Sequence, residues 1–100
     1  MWYVFDNGGI STEEDYPYTA SDGYCMADYG GPVQVSAVHH VTGHSESQLL
    51  AAIANGPTSV TIDADSDVFY YYTSGVITDD SCGTSLDHAV TAVGYGTEDG

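Results

Sequence analysis

Fifteen carboxylates and no lysine or arginine give this 100-residue chain a formal charge of −15 at pH 7, and four histidines are its only side chains able to offset it below neutrality. That asymmetry constrains folding directly, because like charges crowd one another as a chain compacts. Crowding lifts carboxyl pKa values in the compact state, so stability is expected to fall as pH rises through the carboxylate range. A nucleic-acid binder is excluded, since phosphates demand a basic footprint. Docking on anionic lipid is excluded for the same reason. Leu, Ile, Val and Phe together make up just under a fifth of the residues, near the level where high charge leaves a chain disordered. Nine tyrosines and one tryptophan restore apolar area, because each ring can bury a large surface. The balance predicts a marginal but globular fold, one small domain or a piece of a larger one.

No apolar run approaches the roughly 20 residues of a membrane span. Met1-Trp2-Tyr3-Val4-Phe5 lacks the basic start and small-residue cleavage site of a signal peptide. Nothing in the spacing of Cys25 and Cys82 suggests a metal site, although the two could form one disulfide.

Met1 to Asn7 reads as the tail of a helix stopped by Gly8-Gly9. A tail without a helix body suggests a chain cut from something longer. Ser11 to Gly31 is turn-rich, with Asp22-Gly23 and Gly30-Gly31-Pro32 as breakers. Val33, Val35 and Ala37 alternate with Gln34 and Ser36, which predicts a half-buried strand to about Val41. Ser45-Glu46-Ser47-Gln48 is a capping box; it opens a helix with Leu49, Leu50 and Ile53 on one face, ended by Asn55-Gly56-Pro57. Val60, Ile62 and Ala64 alternate as a second strand, Val68 to Tyr72 with Val76-Ile77 supply a third extended region, and His88 to Gly96 reads as a fourth. One helix followed by strands, without regular βαβ alternation, is an α+β arrangement.

The most specific stretch is Leu86-Asp87-His88-Ala89-Val90-Thr91-Ala92-Val93-Gly94-Tyr95-Gly96. It places a histidine at the mouth of a strand that ends in glycines, held by rigid backbone while its ring can reach into a cleft. A general base requires that placement, although a structural histidine would fit the same pattern. Further blocks accompany it: Asn7 through Tyr18, Asp22-Gly23-Tyr24-Cys25, Ala54 through Val60, Tyr72-Thr73-Ser74-Gly75-Val76 and Cys82-Gly83-Thr84. In order and spacing these blocks resemble papain-like cysteine peptidases of the cathepsin L and plant thiol-protease group, over nearly the whole chain.

The resemblance implies an incomplete papain-like α+β fold. Residues 1–41 would be the end of the helical left domain with its crossing segment, and residues 42–100 most of the right, antiparallel barrel-like domain without its last strands. It implies endopeptidase chemistry, with His88 as the base of a thiolate–imidazolium pair and an asparagine orienting the ring. The nucleophile motif of the family would lie upstream and the asparagine motif downstream, and neither stands within residues 1–100. The resemblance also matches Thr61, Leu86 and Ala89 to walls of the family's S2 pocket, and Cys25 and Cys82 to disulfide cysteines whose partners lie outside this chain. It implies protein or peptide substrates, a propeptide or cystatin-type inhibitors as partners, no cofactor, and a parent made as a secreted or vacuolar–lysosomal zymogen.

Three other features lead nowhere. Asp63-Ala64-Asp65-Ser66-Asp67 opens like a calcium loop, but Val68 and Ser74 stand where the loop needs Gly and Glu. His39 and His40, as strand neighbours, would face opposite sides and form no zinc site. Tyr70-Tyr71-Tyr72 reads as alternate packing of a half-buried strand. An inactive homologue with a binding or structural role would share every feature of this chain, so the residue at the nucleophile position, which is not among residues 1–100, separates it from a peptidase.

Overall fold

Five short elements follow one another in a computed structural model that describes residues 1–100: α1 (Trp2–Asp6), α2 (Glu46–Asn55), β1 (Thr58–Ile62), α3 (Asp67–Tyr70) and β2 (His88–Ala92). The chain divides into two compact units, Met1–His40 and Val41–Gly100.

In the first unit, α1 is a single turn closed by Asn7, whose side-chain amide donates to the carbonyls of Gly9 and Asp28, both at 3.1 Å. Ile10 and Val33 then exchange backbone hydrogen bonds of 2.8 and 3.3 Å in an isolated bridge. The bridge requires glycine at positions 9 and 31: a Cβ at Gly9 would strike the Gly31 backbone, and one at Gly31 would strike Ile10. The Tyr16 hydroxyl accepts from Met26 N–H (3.0 Å) and donates to Tyr24 O (3.4 Å), pinning the loop that carries Cys25. Trp2 stacks on His40, with ring centroids 5.8 Å apart, and its indole N–H donates to His40 Nε2 at 2.8 Å.

The strand expected from Val33 to Val41 does not form beyond the Val33 bridge. Val35, Val38 and Val41 are half-buried instead, every third residue. Alternation specifies a strand only where a neighbouring strand takes up its backbone groups, and none lies beside residues 34–41. The side chains of His39 and His40 are therefore not divided by a sheet.

In the second unit, Ser45 caps α2 by accepting from Gln48 N–H at 3.4 Å. Only half of the capping box forms, because the Gln48 side chain accepts from Thr42 N–H (3.4 Å) instead of reaching back to Ser45. Leu49, Ala52 and Ile53 make the half-buried face, while Leu50 is exposed. Gly56-Pro57 ends the helix and leads into β1, which pairs antiparallel with β2 in a two-stranded ribbon from Thr58↔Ala92 to Ile62↔His88. β2 stops at Ala92, four residues short of the expected Gly96.

Residues 67–70 form the short helix α3, not an extended segment. Ser66 O accepts from the N–H groups of both Phe69 and Tyr70 (3.0 and 2.8 Å), so the turn closes locally despite an aromatic run that favours strands. Tyr70, Tyr71 and Tyr72 are all exposed, which overturns the half-buried packing expected for them.

No hydrophobic or polar side chain is fully buried, and Gly9 alone reaches the buried class. The globular balance expected from composition is thus not reached by these residues. One carboxylate runs against the repulsion expected from the charge balance. Ser81, through its hydroxyl and its N–H, holds the exposed Asp79 carboxyl below the usual carboxylate range. That bond contributes stability above the carboxyl's unfolded pKa and is lost as pH falls, the opposite direction to general repulsion.

Candidate active site

His88 is the first residue of β2, paired with Ile62 at the last rung of the ribbon. Side chains alternate across a strand, so Ile62 and His88 lie on one face while Thr61 and Ala89, the next pair along, lie on the other. His88, Thr61 and Ala89 are exposed.

Past this rung the regular strand pairing ends, and carboxylates take over from ladder carbonyls. Asp87 N–H still donates to Ile62 O at 3.1 Å. The Asp87 carboxylate accepts from Ala64 N–H at 2.8 Å, and the Asp63 carboxylate accepts from Ser85 N–H at 3.0 Å. Bonds from a backbone N–H to an ionised acceptor are stronger than neutral ones. They fix a segment, residues 83–87, that has no buried side chain of its own.

Beside the imidazole lies an open depression of about 430 Å³ lined by Ala64, Asp65, Phe69, Tyr70, Asp87 and His88. Polar acidic groups and aromatic faces meet there, and a base at its rim can take a proton from a group held within it. The fold of α3 brings Phe69 and Tyr70 to this place. Their strand-like sequence pattern concealed it, although Ser66 as an N-cap is the signal that could have shown it.

Of the sequence-derived site residues, Thr61 and Ala89 stand side by side as a cross-strand pair. Leu86 sits in the segment before β2, 62% exposed. None of these three lines the depression. Cys25 and Cys82 are free, exposed thiols in different units. No three His, Cys, Asp or Glu side chains gather in a metal-holding arrangement, and no helix is long and apolar enough to cross a membrane.

Known proteins share this sequence pattern and this fold. The sequence model of the papain family cysteine proteases matches residues 1–100. The chain is 49% identical over 100 residues to the KDEL-tailed cysteine endopeptidase CEP2 of Arabidopsis thaliana, covering 98% of itself and 27% of that protein. It is 45% identical over 97 residues to Zingipain-2 of Zingiber officinale, covering 96% of itself and 43% of that protein. Among solved structures it matches bromelain from Ananas comosus in complex with the E64 inhibitor, with a TM-score of 0.82 and 35% identity over 98% of this chain and 45% of that one. The Carica candamarcensis cysteine protease CMS1MS2 in complex with E-64 matches with the same TM-score and 37% identity, covering 95% of this chain and 45% of that one. The chain thus spans less than half the length of each of these relatives. Its α+β architecture is that of a papain-like segment, and the chain belongs to the papain family of cysteine proteases.

Proposed function

We propose that this chain supplies the catalytic histidine, His88, of a cysteine endopeptidase. The observation that carries the reading is the placement of His88: exposed, at the last rung of the β1–β2 ribbon, lining an open depression. There the imidazole takes the proton of a cysteine thiol and returns it to the leaving amine. Nucleophile, oxyanion donors and orienting asparagine come from outside residues 1–100, and Cys25 and Cys82 are disulfide cysteines paired outside them. Neither has the Cys-Gly-Ser-Cys-Trp surroundings of the family's nucleophile.

Thr61, Leu86 and Ala89 form walls of the S2 pocket. The direct pairing of Thr61 with Ala89 supports this, because two exposed residues in register present one continuous surface to a substrate side chain. The division at His40/Val41 supports assigning residues 1–41 to the helical left domain and 42–100 to the barrel-like right domain. Substrates are proteins or peptides, and the propeptide or cystatin-type inhibitors are further partners. The parent is a secreted or vacuolar–lysosomal zymogen; the KDEL tail in one relative's name, a retention address of the endoplasmic reticulum, supports entry into the secretory pathway.

The test is His88→Ala in the full-length protein, assayed on a dipeptidyl reporter. Turnover falls by several orders of magnitude, as expected when one member of a catalytic unit is removed. Retention of more than about a tenth of wild-type turnover would remove His88 from the role of base.

A further inference from the structure

Asp63 and Gly83 lie 20 residues apart in sequence, yet the fold brings them into contact. The Asp63 carboxylate accepts from Ser85 N–H at 3.0 Å, and a Cβ at position 83 would overlap that carboxylate. Asp63 follows the last residue of β1, and Ser85 lies three residues before His88. The bond therefore ties the end of β1 to the segment that delivers the imidazole. No side chain in that segment is buried, so packing does not hold it. What holds it is a short set of hydrogen bonds, and of those that tie it to the end of β1 the Asp63 bond lies farthest from His88 in sequence and closes the loop.

We propose that Asp63 is a positioning residue for His88, and that Gly83 is required because its missing side chain admits the Asp63 carboxylate. The proposal rests on His88 being the base. Asp63 touches no reacting atom; it sets where the backbone before His88 runs, and hence where the ring sits. A misplacement of about 1 Å in a catalytic group can lower turnover about a hundredfold. Asp63 itself meets no substrate, and of the S2 walls only Leu86 lies on this segment, so the loss falls mainly on kcat and less on KM. Gly83 supplies an independent probe. Its backbone is not left-handed, and the atoms a methyl would meet are the far end of the flexible Asp63 side chain. Gly83→Ala therefore dislodges the carboxylate and leaves the backbone unstrained.

The experiment uses the full-length protein with a dipeptidyl reporter and five variants: Asp63→Ala, Asp63→Asn, Gly83→Ala, the Asp63→Ala/Gly83→Ala double variant, and His88→Ala. Asp63→Ala lowers kcat roughly tenfold or more with KM within about twofold of wild type. Asp63→Asn, which keeps an acceptor oxygen, stays within about threefold of wild type. Gly83→Ala falls with Asp63→Ala, and the double variant is no worse than either, because both remove one contact. The proposal is overturned if Asp63→Ala keeps kcat within about threefold of wild type, if Asp63→Asn falls as far as Asp63→Ala, or if the two single losses add. Should Asp63→Ala fail to fold, Asp63→Asn and Gly83→Ala still decide the matter. Retained turnover in His88→Ala overturns the base assignment, and this proposal with it; loss there with an unchanged Asp63→Ala overturns this proposal alone.

Discussion

Thr61 owes its accessibility to its parity in β1. Residues 58, 60 and 62 turn to the half-buried side, which leaves Thr61 beside Ala89 on the open face. A side chain placed there can be enlarged without entering a core. Thr61→Trp in the full-length protein is expected to shift P2 preference toward small side chains by roughly 1–3 kcal/mol, about 10- to 200-fold in kcat/KM. The comparison of paired reporters with large and small P2 groups measures it, and an unchanged ratio would take Thr61 out of the S2 wall. At this scale the place of His88 at the head of a strand was legible, because the alternation that follows it is local. The contact of Asp63 with Gly83 and Ser85 was not. It joins residues on two segments whose approach follows only from the register of β1 and β2, and no local pattern encodes that register.

Among the elements, α2 was the most legible because its signals are local: a serine cap, apolar residues three and four apart, and a terminal Gly-Pro. Its cap bond is long, at 3.4 Å, and the reciprocal half of the box is missing. Ser45→Ala is therefore expected to cost only about 0.5–1 kcal/mol, the low end for a lost cap. Urea unfolding of the full-length protein followed by circular dichroism measures this, and a loss near 2 kcal/mol would mean the cap bond is stronger than its length suggests. Segments whose fate depends on a partner were misread. Residues 33–41 carry a strand pattern with no neighbouring strand, and residues 67–70 carry strand-forming side chains but close a helical turn through Ser66 O. The β1–β2 ribbon was found within two residues of its start at one strand and four of its end at the other, since both of its halves carry the alternation.

For the whole molecule, surface decides more than sequence pattern does. A self-contained domain buries its large apolar side chains, whereas no hydrophobic residue of either unit is buried. Tyr24 and Val93 are 95% and 81% accessible, too much apolar surface for a self-sufficient core. The composition showed that enough aromatic area exists, but not which parts of it face one another. The 100-residue chain produced by itself is therefore expected to bind a neutral hydrophobic dye such as Nile red and to unfold over a broad range. A sharp calorimetric transition without dye binding would show that these residues close a core of their own. Trp2, set against His40 at the far end of the first unit, gives such measurements an address. It is the sole tryptophan, and its ring senses a partner 38 residues away. Its emission is thus a built-in optical gauge of residues 1–40. A denaturation curve recorded by tryptophan fluorescence follows the loss of the Trp2–His40 contact within that unit.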